Sequence, residues 1–430
     1  MMRRFFPAVP IIILAGIFLA SPLSRAAEEA LSWEDCVREA AVNHPDLVSA
    51  VENVQQSRSQ EDITASALYP QVTAGLSAQT AKSAGSSVRA GGTSDTYSYD
   101  VTGSQLVFDG FKTLADVKGA REDTQAAKEN YRFVSADVRQ RLRSAFVSVM
   151  KAQAQIRVTE EIVRIRKDNL VLISLRYQSG LEHKGALMTA EANLAQARFE
   201  VEEAKRALIV AQRQLTKEMG RSEFIPMAVK EDFEIGDTEK KKPDFREIVE
   251  KNPSLLEEAA LARAARYGVA SAKANFFPVL SASSGIGRTS GHWPPQNNQW
   301  NLGLGLTLPL FEGGLKTAQL KSAKSSFVEA QANQRSTRDS VILGLEQTWA
   351  FLQDAIEDVS VRRMFLDATQ ERSRIAQAQY SIGMMSYDNW TIIEDDLVSA
   401  KKDLLNAQAN ALFAQANWVE AKGETLEQEQ

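Results

Sequence analysis

From Trp300 to Phe311 the chain alternates without a break. Trp300, Leu302, Leu304, Leu306, Leu308 and Leu310 are apolar, and between them stand Asn301, Gly303, Gly305, Thr307, Pro309 and Phe311. Period two puts each set on one face of a strand. An antiparallel strand over a soluble core has the same pattern, but three features favour a lipid-facing strand. The run matches a tilted membrane strand of about 9–11 residues. Aromatics mark both ends, as at the two interfaces of a membrane barrel: Tyr69, Phe108, Phe276, Phe277 and Phe311 at one, Tyr97, Tyr99, Trp293 and Trp300 at the other. The chain also offers no soluble sequence for such strands to cover. The pattern predicts four strands, at about 69–80, 97–108, 277–288 and 300–311, with a Gly/Ser-rich loop at 81–96.

A second periodicity fills most of the remaining chain. Val138, Leu142, Ala145, Val149, Ala152, Ile156, Thr159, Val163, Arg166, Leu170, Ile173 and Tyr177 follow a 4-3 alternation. After Gly180 a second seam runs through Leu187, Ala190, Leu194, Ala197, Val201, Ala204, Leu208, Ala211 and Leu215. A seven-residue repeat predicts left-handed coiling, and its alanines permit close helix approach. A neighbouring stripe, Val158, Ile162, Ile165 and Leu172, gives each helix two neighbours. A ring of helices needs that, and a two-stranded coil does not.

Both patterns occur twice. Pro45 and Pro70 return as Pro253 and Pro278, while Phe108-Asp109-Gly110 and Tyr177-x-x-Gly180 return as Phe311-Glu312-Gly313 and Tyr380-x-x-Gly383. A duplicated layout of this length means two copies of one structural unit. The first spans 27–219, with a long helix at about 112–179 and a return helix at about 186–217. The second spans 244–422, with the corresponding helices at about 315–382 and 386–422. The short helix at about 46–67 and the return helix together nearly equal the long one, so they are expected to stack end to end beside it. The charged segment 220–243 then links the copies at the level where the short helices meet, and 423–430 is a tail.

Composition adds a compartment. Arg3 and Arg4 precede an apolar run from Ala8 to Ala20, and Ser24-Arg25-Ala26 offers small residues for cleavage, so residues 1–26 read as a secretory signal peptide. Their removal takes away three arginines and no acid, moving the net charge from −5 to −8. An acidic exported chain has no obvious role on nucleic acid. The single cysteine, Cys36, lacks a lipobox and predicts neither lipid anchor nor disulfide.

Candidate chemistry is sparse. His44, His183 and His292 are scattered without metal-ligand spacing. No nucleophile–base constellation or phosphate loop is present, and no enzyme, metal or cofactor is expected. Ser32-x-x-Asp35 reads as a helix-capping pair. Glu394-Asp395-Asp396 avoids the seam positions and reads as a solvated face, the alternative being a lumen lining that favours cations.

Four strands in lipid would leave two open edges, which hydrocarbon does not tolerate. The chain must therefore close a barrel with copies of itself. This layout resembles the outer-membrane efflux proteins, the TolC-like channels, across essentially the whole mature chain, most specifically at Phe311-Glu312-Gly313-Gly314 and at the paired Tyr-x-x-Gly tips. The resemblance implies an α+β membrane protein: a trimeric twelve-stranded β-barrel in the outer membrane of a Gram-negative bacterium, continuous with a long periplasmic α-helical coiled-coil barrel. It further implies a passive exit duct for an efflux pump or type I secretion system, partnered by a periplasmic adaptor and an inner-membrane transporter. The adaptor would meet Ser179, Gly180, Leu181, Ile382, Gly383 and Met384. In the family's namesake channel, acidic rings and a salt-bridge lock near the tips hold the periplasmic mouth shut. Matched from Gly383, this chain keeps Tyr380 but has Asn389 and Ile392 where the two ring aspartates would fall, Met385 at the lock arginine and Ala186 at its acidic partner. The electrostatic lock is therefore expected to be absent, with Tyr380, Asn389, Trp390 and Ile392 forming the constriction. Rival readings are a periplasmic coiled-coil adaptor, which would need a lipoyl-like module, and a structural scaffold, which has no use for a polar strand face.

Overall fold

The computed structural model describes residues 30–83, 92–230, 233 and 242–429. The signal-peptide reading, the centre of the Gly/Ser-rich loop and residues 231–232 and 234–241 of the linker fall outside them. The first copy contains helices α1 (Trp33–Asn43) and α2 (Pro45–Ala65), strands β1 (Gln71–Ser83) and β2 (Gly92–Phe108), and helices α3 (Lys112–Gln178) and α4 (Lys184–Glu218). The second contains α5 (Phe245–Val249), α6 (Pro253–Ala274), β3 (Val279–Ser290), β4 (Asn297–Thr307), α7 (Leu315–Ser381) and α8 (Tyr387–Ala421).

Two strands depart most from their expected bounds. β2 begins at Gly92, inside the stretch read as loop, because Gly92, Thr93, Ser94 and Asp95 pair with 80–83 of β1. β4 starts earlier, at Asn297, and stops at Thr307 rather than at 311. Proline has no N–H for the ladder, and Pro309 ends it. The four strands form one antiparallel sheet in the order β1-β2-β3-β4, so β1 and β4 are its open edges.

The helices form one layer of parallel rods. α3 and α7 each have 67 residues, about 100 Å at helical rise. α2 and α4 both lie against one side of α3, α6 and α8 lie against its other side, and α7 flanks α6 and α8. The short helices meet end to end. His44, starting α2, places Nε2 3.4 Å from Glu218 Oε2 at the end of α4. Asn252 Nδ2, starting α6, donates to the carbonyl of Ala421 ending α8 at 3.1 Å.

Local chemistry sets these ends. Ser32 and Asp35 cap α1 reciprocally, Asp35 N donating to Ser32 Oγ and Ser32 N to Asp35 Oδ2, both at 3.2 Å. Two of the scattered histidines turn out to be caps: His44 Nδ1 accepts from Asp46 N, and His183 Nδ1 accepts from Ala186 N. Asn252 and Ser386 cap the matching helices of the second copy. These common N-cap residues were the available clue to the histidines' role.

Many seam positions are buried, including Val138, Leu142, Ala145, Val149, Ala190, Leu194, Ala197 and Val201, while Tyr177 at the end of the first seam is exposed. The largest cluster lies where the short helices meet, joining Cys36, Leu142, Phe146, Met150, Leu215, Met219 and Leu412. Met227 and Val229 of the linker pack into it, and Val229 bridges to Leu31. Burial pushes the Cys36 thiol up to about 12. The C-terminal segment is docked too: Leu426 is buried, and Glu427 accepts from Ser135 Oγ at 2.8 Å.

Candidate channel wall and tip gate

Strand register sorts the sheet into two unlike faces. On one, Leu76 stands across from Tyr99, Val101 from Ile286, and Ile286 from Trp300, followed by Leu302, Leu304 and Leu306 along β4. These side chains are exposed, Trp300 by 80% and Leu304 by 76%. On the other face hydroxyls pair across strands, Thr73 with Thr102 at 2.8 Å and Ser77 with Ser98 at 2.7 Å. Apolar on one side and polar on the other is what a strand needs between hydrocarbon and a water-filled interior. Tyr97, Tyr99, Trp293 and Trp300 fall toward the end where the β1–β2 and β3–β4 hairpins turn. Tyr97 and Trp293 meet edge to face at 6.3 Å. Tyr69, Phe108, Phe276, Phe277 and Phe311 fall at the helical end, where Phe108 packs on Phe111.

The opposite end is built by two turns, α3–α4 and α7–α8. Leu181 N donates to Arg176 O and Met384 N to Gln379 O, with Gly180 at φ 74° and Gly383 at φ 78°. A left-handed residue is required there, and glycine takes it without cost. Ser179, Gly180, Leu181, Ile382, Gly383 and Met384 are all exposed.

Just behind the tips the two hairpins pack through Ile173, Ala186, Ala190, Ala376, Tyr380, Tyr387, Trp390 and Ile393. Here the four residues expected to form one constriction separate. Tyr380 and Trp390 are sealed inside the layer, their rings stacked 4.3 Å apart and tilted by 10°. Asn389 and Ile392 are exposed. The seam periodicity explains the split, since 380 and 390 point into the layer while 389 and 392 do not. Buried within the chain, Tyr380 and Trp390 pack the two hairpins together.

Polar contacts nevertheless join the hairpins, and the partners of Tyr380 in them lie outside the positions matched from Gly383. Tyr380 Oη donates to Glu182 Oε2 at 2.9 Å, and Arg176 Nη1 donates to the Tyr380 carbonyl at 3.1 Å with its guanidinium 4.7 Å from the ring centre. Both bonds join the first hairpin to the second. Burial and the Glu182 carboxylate raise the Tyr380 phenol above its ordinary value. Glu394, read as solvated, is buried and accepts from Asn169 Nδ2 at 3.2 Å and from Ser373 Oγ at 2.5 Å. Arg166 reaches Asp395 at 2.5 Å. The clasp uses other residues than the lock positions matched from Gly383, which is why position-by-position matching missed it.

The chain matches the family model for outer membrane efflux proteins over residues 36–221 and 245–425. It is 24% identical to the cation efflux system protein CusC of Escherichia coli K12, over 82% of this chain and 77% of that one. It is 23% identical to the probable outer membrane lipoprotein SilC of Salmonella typhimurium, with the same coverage. A crystal structure of CusC superposes with a TM-score of 0.82 at 21% identity, covering 90% of this chain and 91% of that one.

Proposed function

Because the chain belongs to the outer membrane efflux protein family, it is an outer-membrane efflux channel with a periplasmic helical extension, and we propose that it works as a homotrimer. One observation carries the trimer: the sheet and the helical layer end in matching unpartnered edges. β1 and β4 present unpaired backbone that hydrocarbon would not tolerate. On the same two flanks the rods show apolar side chains to solvent, Val48, Val51 and Phe199 on α2 and α4, and Phe351, Met364 and Phe365 on α7. Joining β4 of one copy to β1 of the next also joins α7 to the neighbour's α2 and α4. Three copies close a twelve-stranded barrel and a helical tunnel together.

Family membership implies a periplasmic adaptor and an inner-membrane transporter as partners. In our reading the adaptor meets the exposed tips at Ser179–Leu181 and Ile382–Met384, and adaptor binding favours a splayed state by contacting it better than the closed one. Conduction is passive, and choice of cargo lies with the transporter. No catalytic step is assigned, in keeping with a family of passive ducts. The bond from Tyr380 to Glu182, the arginine contact of Arg176 and the buried Glu394 supply closure within each copy. Asn389 and Ile392 are left to face a neighbouring copy or the pore.

Single-channel recording of the purified protein in planar bilayers, with its mass measured in detergent, tests the proposal. We expect a trimer with discrete conductance steps. A monodisperse monomer without conductance would overturn it.

A further inference from the structure

The polar face of the sheet carries a single charge. Along β1–β4 that face consists mainly of serine, threonine, asparagine, glutamine and glycine, and Asp100 of β2 is its only ionisable side chain among the described residues. The other charged residues of the strands, Lys82, Asp95 and Arg288, lie on the opposite face, toward the hairpin end. Asp95 is also engaged, accepting from Thr80 Oγ1 at 2.8 Å. Among the described residues nothing bonds to the Asp100 carboxylate.

Its neighbours leave it bare. Asp100 stands directly across from Gly75 of β1 and Gly287 of β3. A Cβ at Gly75 would come within 3.1 Å of Asp100 Oδ1, and one at Gly287 within 2.8 Å of Asp100 Cβ. The next residue in that row is Gln299, across from Gly287. No cation stands beside the carboxylate in this row, and no bulky side chain shields it.

We propose that Asp100 sets the charge preference of the pore. Three copies related by the barrel axis place three carboxylates at one height on the inner wall, forming a ring that favours cations over anions. The inference rests on the trimeric reading above. Rings of acidic side chains select ions by sign, and low-dielectric walls focus their field into the lumen. Screening controls the reach of that field: about 10 Å at 0.1 M salt and about 30 Å at 0.01 M. The preference therefore grows as salt is diluted.

The test is the reversal potential of single channels under a KCl gradient, at high and at low mean salt. The wild type should favour potassium, most strongly at low salt. Asp100→Asn should lower the potassium-to-chloride permeability ratio by about threefold or more, Asp100→Glu should keep it, and Asp100→Lys should favour chloride. Each variant is first checked to be a trimer. Trimeric, conducting Asn and Lys variants with the wild-type reversal potential at low salt would overturn the ring. A wild type that is neither trimeric nor conducting would instead overturn the assembly beneath it.

Discussion

At Tyr380 one side chain makes three kinds of contact. Its ring stacks on Trp390, the Arg176 guanidinium lies over it, and its hydroxyl donates to Glu182. Tyr380→Phe keeps the packing and removes only the hydroxyl. A hydrogen bond to a charged group contributes about 1.5–3 kcal/mol, so the closed state should weaken by about that much, seen as a higher resting conductance. Unchanged conductance in a correctly assembled trimer would dismiss the clasp. The pH dependence has a definite sign. Folding raises the phenol's pKa above the ordinary value of 10.0. Its contribution is therefore complete below about pH 10 and is lost only as pH rises through the higher folded value. Resting conductance should stay flat from neutral pH up to that range. The tyrosine and its seam position were legible in the sequence. Glu182 was not, because its partner lies almost 200 residues away and no local period connects them.

Among the elements, the strands were the most legible, since alternation by itself assigns each side chain to a face. Register then turns that assignment into a test. Leu304 faces the apolar side near the middle of β4, while Asn301 faces the polar side. A basic residue on the lipid face near the midplane costs about 2–4 kcal/mol. Leu304→Arg should lower resistance to denaturant in lipid vesicles by that amount, and Asn301→Arg should change stability little. Equal losses from the two would reverse the assignment of the faces. Element ends were less legible. Pro309 could have been read as a stop for β4, but the apolar residues at 308 and 310 carried the alternation past it. The early start of β2 came from small residues whose pairing with β1 is visible only in the ladder.

For the molecule as a whole, the two copies match in sequence but not in surroundings. α3 is interior, packed on both sides, and twenty of its residues are buried; α7 is an edge with six. Each helix carries similar apolar residues, so the exposed ones on α7 await a neighbour. Charges on that edge should stop assembly without unfolding the chain. Phe351→Glu combined with Phe365→Glu is expected to give helical monomers, measured by light scattering and circular dichroism. Trimers that persist in this variant would place the subunit contact elsewhere.

The chain alone shows most of the elements and their doubling, though not every end, because helices and strands announce themselves through contacts between near neighbours. It also determined the two faces of the sheet, and hence the need for a barrel. Only the folded chain shows which copy lies inside the layer, that Tyr380 and Trp390 stack between the hairpins, and that Arg176, Glu182 and Glu394 join them. Those contacts join side chains far apart in the chain, and a periodic pattern fixes where a side chain points without naming the residue it meets.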